Sequence, residues 1–194
     1  MTLVNIILFV SMLVWAIPPF KQRKTKYFSY FLLLAVCDPL TFIVGYLFRI
    51  QYNFLNMMFL FFFIASLIEK KIIQKLMLAL SLLFPVAVYV NRTPPVFSLY
   101  LSTFVHIIMV LIVVTQIMFH LKQRGYLNLF LCMLMFYMLI SVTMRMTLIA
   151  NLKIGTVSYY LGGAFQILFG IAFMLINVNT KNYKLVEEKS RQAE

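Results

Sequence analysis

Five polar side chains lie deep inside long apolar runs, where their chemistry is out of keeping with their surroundings: Asp38, Ser81, His106, Tyr137 and Gln166. Asp38 is the only carboxylate within any such run, YFSYFLLLAVCDPLTFIVGYLFRI at 27–50. An ionisable group in hydrocarbon is costly, so it marks a candidate site and calls for a partner. At the helical rise per residue, Asp38 lies roughly 16 Å from the start of its run. The other four fall within a turn or two of the same layer. Together they would make a midplane polar site, with Asp38 as its charge or proton carrier. His106, Tyr137 and Gln166 would be its hydrogen-bonding neighbours, and any ligand it takes would meet these side chains. The competing reading is polar contact between helices, worth about 0.6–2 kcal/mol each. Pro39 leaves a backbone carbonyl free one turn back, to which a protonated Asp38 would donate. Arg145 is the other candidate partner. It lies roughly 12 Å further along than Asp38, and its spacing predicts a side chain that snorkels to the outer surface.

The elements that must position these residues follow from composition. Of 194 residues, 63% are hydrophobic and 11% charged, with mean hydropathy +0.96. A soluble domain has about a quarter charged residues. Apolar runs here repeatedly approach the roughly 20 residues that span hydrocarbon. They are apolar on all sides, which excludes a lipid-facing β-barrel with its alternating pattern. The chain reads as an all-α integral membrane protein with seven transmembrane helices at 3–20, 27–50, 52–68, 72–90, 96–121, 126–150 and 155–177. Pro39 and Pro85 fall inside two of them as expected kinks. The 13 methionines and 20 phenylalanines are spread along the helices as lipid-facing and gap-filling residues.

Net charge is +12, but the basic residues fall between apolar runs, a placement that does not suit nucleic acid. Lys21, Arg23, Lys24 and Lys26 follow the first helix. Lys70, Lys71 and Lys75 follow the third, Lys122 and Arg124 the fifth, and Lys181, Lys184, Lys189 and Arg191 the seventh. Only Arg49, Arg92, Arg145 and Lys153 belong to the other ends. The positive-inside rule then puts the amino terminus outside and the carboxyl terminus in the cytoplasm, with the basic residues on anionic lipid head groups. The first helix has no basic start and no small-residue cleavage site, so it reads as a retained span. Asn91-Arg92-Thr93 matches a glycosylation sequon in a predicted outer loop.

An internal match accompanies this layout. Ile6-Ile7 and Lys21-Gln22-Arg23 recur at a constant offset as Ile107-Ile108 and Lys122-Gln123-Arg124. After a two-residue gap, Tyr27, Phe31 and Leu32 fall on Tyr126, Phe130 and Leu131. With a further gap, Tyr52 and Ile64-Ala65 fall on Tyr159 and Ile171-Ala172. The pattern predicts two parallel three-helix repeats joined by the fourth helix, a 3+1+3 arrangement. That layout is similar to that of SWEET-type sugar carriers, though their Pro-Gln pair is absent. Seven-helix receptors share it too, but the seventh helix here has no lysine for a retinal Schiff base. Layout alone does not carry function.

The seventh helix places Ser158, Gly162, Gln166 and Gly170 four residues apart, with Gly163 alongside. Small residues at this spacing let helices approach closely, either inside the bundle or against another subunit. Cys37 and Cys132 lie in apolar helices and predict neither disulfide nor metal site. No catalytic or cofactor motif is present in the sequence, so the expectation is a non-enzyme without cofactor or metal. The segment 181–194, KNYKLVEEKSRQAE, is charged and rich in helix formers. It predicts a cytoplasmic helix of the kind that links bacterial seven-helix sensors to an output, in a plasma (bacterial inner) membrane. The leading expectation is therefore a sensor or signal-relay module, with a protein partner contacted through 181–194 or the seventh helix. A small-solute or proton-coupled carrier with a midplane site is the second reading. A scaffold subunit of a larger membrane complex is the third.

Overall fold

The computed structural model describes residues 3–48, 52–68, 70–90, 95–150, 155–176 and 183–184. Among the described residues eight helices run in order: α1 Leu3–Trp15, α2 Pro18–Lys21, α3 Phe28–Phe48, α4 Tyr52–Leu67, α5 Lys71–Val90, α6 Pro95–Arg124, α7 Leu129–Ile149 and α8 Gly155–Leu175. Two short strands, β1 Tyr126–Leu127 and β2 Tyr183–Lys184, pair antiparallel. The all-α reading holds. Three stretches, Phe28–Leu47, Phe97–Arg124 and Leu129–Ile149, are each long and apolar enough to cross a membrane. Phe9–Lys21, Met58–Leu67 and Tyr160–Leu175 are shorter apolar helical stretches.

Local chemistry explains where the elements depart from expectation. The first helix stops at Trp15 rather than running to 20, and α2 restarts at Pro18-Pro19. Proline cannot donate to the preceding turn but suits the first turn of a new helix. Gly125, at φ 71°, ends α6 in a conformation costly for any side chain with a Cβ. The sixth predicted helix then begins three residues late, because Tyr126–Leu127 is strand. Asn128 caps α7, its side-chain oxygen accepting from Leu131 N at 3.3 Å. Of the predicted helical tail only 183–184 are described, and they are strand. Its remaining residues lie outside the described ones, as do Glu69, the sequon and the side chains of Pro85 and Ser158.

The larger helices close a ring. In order around it stand α1, α3, α4, α6, α7 and α8, with α8 returning to α1; α5 packs on the outside against α4. The interior is aromatic. Phe31 is fully buried and meets Phe173 at 4.9 Å between ring centroids, Tyr30 at 5.5 Å, Phe130 at 5.9 Å and Trp15 at 6.3 Å. Such pairs contribute about 0.5–1.5 kcal/mol each beyond their buried area. The outside is apolar as well: Phe42, Phe104 and Leu83 are each at least 60% exposed. A surface of this kind suits lipid rather than water.

Candidate functional site

Helix α3 carries the spine of the site. Tyr27, directly before α3, and Tyr30, Phe31, Cys37 and Thr41 within it are all buried and fall on one side of a helix with 3.6 residues per turn, so one face of α3 turns into the ring. Asp38 adjoins Cys37 on that helix and is half-buried. The helix runs unbroken through Pro39, and α5 likewise through Pro85.

Arg145 departs from the expectation of a snorkelling side chain. It turns inward from α7, donating through Nε to Ser102 Oγ on α6 at 2.8 Å and through Nη1 to Ser141 O at 3.1 Å. Side chains on a helix lean toward its N-terminus. The starts of α3 and α7 lie together, since Tyr27 meets Phe130 at 5.1 Å between ring centroids. Arg145 therefore leans back toward the level of Asp38, and comes within electrostatic reach of Asp38, Tyr30, Tyr137 and His106. His106 is positioned from α6 by a 2.7 Å hydrogen bond between Nδ1 and Ser102 O. Tyr137 packs its ring on Trp15 at 5.1 Å and Phe169 at 5.6 Å, and its phenol feels Asp38.

Of the midplane candidates, His106 shares Ser102 with Arg145, while Asp38 and Tyr137, with Tyr30, lie in the longer range over which the Arg145 charge acts. The other two candidates are engaged elsewhere. Gln166 Oε1 accepts from Ser11 Oγ on α1 at 3.0 Å, and Ser81 Oγ donates to Leu78 O of its own helix at 2.6 Å. A carboxyl, a guanidinium, an imidazole and two phenols are groups that can hold or exchange a proton, or bind a small polar group. Thr41 Oγ1, one turn beyond Cys37, is closed off from solvent and has the Cys37 thiol as its polar neighbour.

A second polar layer lies at the end of the bundle where α3 and α7 begin. Tyr27 OH donates to Gln116 Oε1 at 2.7 Å, and Gln116 Nε2 donates to Leu67 O, the last residue of α4, at 3.0 Å. Gln22, which is fully buried, donates from Nε2 to Ile176 O just past α8 at 2.9 Å. Each glutamine satisfies a helix-end carbonyl that would otherwise lack a partner. Neither was legible as a site residue, because a glutamine beside a basic cluster reads as solvated.

Gly163 and Gly170 of α8 face α1, and Gly162 faces α7. A Cβ on Gly163 would collide with Ile7 Cγ2 and one on Gly170 with Val14 Cγ1, whereas one on Gly162 would meet Met144 at 3.8 Å. The small-residue stripe therefore serves packing within the chain. The basic residues Lys21, Arg23, Lys24, Lys26, Lys70, Lys71, Lys122 and Arg124 are all exposed at the end of the bundle that holds the glutamine layer.

Comparison of the chain with protein-family models, with curated proteins and with solved structures finds no match in any of the three. The class that fold and surface define is an all-α chain with several apolar helices fit to cross a membrane.

Proposed function

We propose that the chain is a seven-span membrane sensor or signal-relay module, amino terminus outside and carboxyl end cytoplasmic, in a plasma membrane of the bacterial inner-membrane kind. The observation that carries this reading is Arg145 turned inward onto Ser102 beside His106, in electrostatic range of Asp38, Tyr137 and Tyr30, with one continuous aromatic core running from Tyr30 and Tyr137 to the hydrogen-bonded end of α8. Asp38, Tyr30 and Phe31 share α3, and Tyr27 directly precedes it. Phe31 packs on Phe173 of α8, and Gln22 holds the carbonyl of Ile176. A change of charge or ligand around Arg145 displaces α3, and α8 is the element packed to follow. The residues after α8 then carry the displacement to a cytoplasmic partner or output.

The test is a spin-label distance across that path in proteoliposomes. Labels go on cysteines placed at Ser29 and Ile176 of a chain whose Cys37 and Cys132 are replaced by alanine. Asp38→Asn and Arg145→Gln are expected to shift the distance distribution by a few ångströms. An unchanged distribution in both variants overturns the relay.

The second reading, a small-solute carrier, draws support from the ring. If α1, α3 and α4 correspond to α6, α7 and α8, each neighbour pair maps onto another: α1–α8 onto α6–α4, and α3–α4 onto α7–α8. Phe31 and Phe130, matched by the sequence repeat, meet each other in the core. That arrangement supports the 3+1+3 repeat and a site between its halves. The four rings of Trp15, Phe31, Phe130 and Phe173 occupy the interior at 5% exposure or less, which favours the relay over a through-path. The scaffold reading loses one of its supports, since α1 takes up the glycine face of α8.

A further inference from the structure

A cavity of about 660 Å³ opens where α3 and α7 begin, where α4 and α6 end, and where α5 starts. Lys26, Lys70 and Arg124 stand on its wall beside His120, Gln116 and Asn128. No carboxylate is among the described residues that line it. Arg124 and Lys26 both act electrostatically on His120. The His120 ring is held edge-on to Tyr126 at 5.1 Å. Its Nε2 is closed off from solvent and has no hydrogen-bond partner. Apart from Thr115, Gln123 and the Tyr27 hydroxyl, the rest of the wall is apolar, including Ile73, Ile112 and Phe119.

A second cavity, of about 430 Å³, shares Lys26, Tyr27, Leu67 and Ile68 with the first. It continues along α3 and α5 past Leu32, Leu33 and Leu78. Leu32 and Leu78 are each more than 40% exposed. A cationic basin thus opens into an apolar groove that runs along the helices. A free phosphate would use only the basin. A phospholipid would use both parts, its phosphate in the basin and an acyl chain in the groove.

We propose that this pair of cavities is a specific binding site for the phosphate-bearing head group and one acyl chain of an anionic phospholipid. The site rests on the membrane reading of the chain and on its basic end lying at a bilayer surface; it does not depend on the relay.

The experiment is native mass spectrometry of the full chain released from vesicles of phosphatidylglycerol and phosphatidylcholine in equal amounts. One phosphatidylglycerol is expected to stay bound per chain in preference to phosphatidylcholine. Lys70→Gln with Arg124→Gln is expected to lower that retention at least about tenfold, at about 1 kcal/mol per basic residue near the surface, and His120→Ala to lower it by several-fold. Lys21→Gln with Arg23→Gln removes the same charge at the same end but outside the cavity, and is expected to lower retention far less than the cavity pair, through diffuse attraction alone. Equal loss in both double variants would mean diffuse attraction to the basic end, and would overturn the site. Release of the lipid by millimolar inorganic phosphate, or binding of phosphate with no lipid retained, would overturn the lipid assignment. Melting temperatures within 2–3 °C of wild type, about what 1 kcal/mol shifts a chain of this size, show that the variants fold. The spin-label distances above test the relay separately, so either reading can fail without the other.

Discussion

The packing of α8 on α1 makes a sharp prediction, because three glycines on one helix face different surroundings. Replacing glycine by alanine inside a helix gains about 0.8–1.0 kcal/mol of propensity. At Gly162 the new methyl would lie 3.8 Å from Met144 Sδ and Cε, an ordinary contact with a flexible side chain. Gly162→Ala should therefore be neutral or stabilise by up to about 1 kcal/mol. At Gly170 the methyl would overlap Val14 Cγ1, and at Gly163 it would overlap Ile7 Cγ2. Both clashing atoms belong to β-branched side chains, which have little rotamer freedom in a helix. Forcing α1 away costs about 1–3 kcal/mol and stretches the 3.0 Å bond between Ser11 and Gln166, which lies between the two contacts. Net destabilisation of up to about 2 kcal/mol remains at each position after the propensity gain is subtracted. The assay is reversible unfolding in mixed micelles of rising denaturing-detergent fraction, followed by the fluorescence of Trp15, the chain's only tryptophan. Val14→Ala should rescue Gly170→Ala with a coupling energy of about 1 kcal/mol or more, and should not rescue Gly163→Ala. If Gly162→Ala and Gly170→Ala unfold alike, or the coupling is absent, then α8 does not pack on α1 in this register.

Four other outcomes are expected. Phe31→Ala, at a fully buried position in contact with four rings, should destabilise by about 3–5 kcal/mol, whereas Phe42→Ala, at 69% exposure, should change little; the same unfolding assay reads both. Gln116→Ala leaves the Leu67 carbonyl without its donor and Tyr27 OH without its acceptor, for a loss of about 1–3 kcal/mol; Gln116→Glu should restore the contact to Tyr27 but not the one to Leu67 O. Gln22→Ala should speed amide hydrogen exchange at the end of α8 more than at its start, because only the Ile176 carbonyl loses a donor; uniform exchange along α8 would count against the lock. For the topology, a cysteine at Lys24 should resist an impermeant maleimide in intact cells and react after permeabilisation, while one at Thr93 should react in both.

The sequence made the helical architecture legible because it depends on long-range composition. Apolar runs of bilayer length and basic residues between them survive any detail of packing. The places where helices stop were harder. Pro18-Pro19 was visible, but only the backbone shows that α1 ends before it and α2 starts on it. Asn128 and Gly125 are the cap and stop signals at the α6–α7 junction, and hydropathy passes over them. The site was legible in part. Depth along a helix brought Asp38, His106 and Tyr137 to one layer, but depth says nothing of which way a side chain faces. Gln166 shows this: it lies at the expected height, and only the structure shows that its side chain meets Ser11 of α1.

Arg145 shows why depth alone misleads. Counted by Cα position it belongs a full two turns beyond Asp38, and an arginine near a helix end ordinarily extends to water. Two facts that the one-dimensional count omits reverse this. The side chain leans toward the start of α7, and α7 starts beside α3. Ser102 and Ser141 then offer oxygen partners inside the ring, at 2.8 and 3.1 Å, so the guanidinium gains hydrogen bonds there that offset part of its desolvation. The consequence is testable without any ligand. Ser102→Ala removes the Nε partner and leaves the charge half-buried, a loss of about 1.5–3 kcal/mol. Arg145→Met removes the charge with its bonds and should cost less than Ser102→Ala, because a packed apolar side chain often replaces a buried ion without loss. If Arg145→Met is instead the more damaging, the guanidinium balances Asp38 rather than merely tolerating its own burial, and the two residues must be treated as one charged pair.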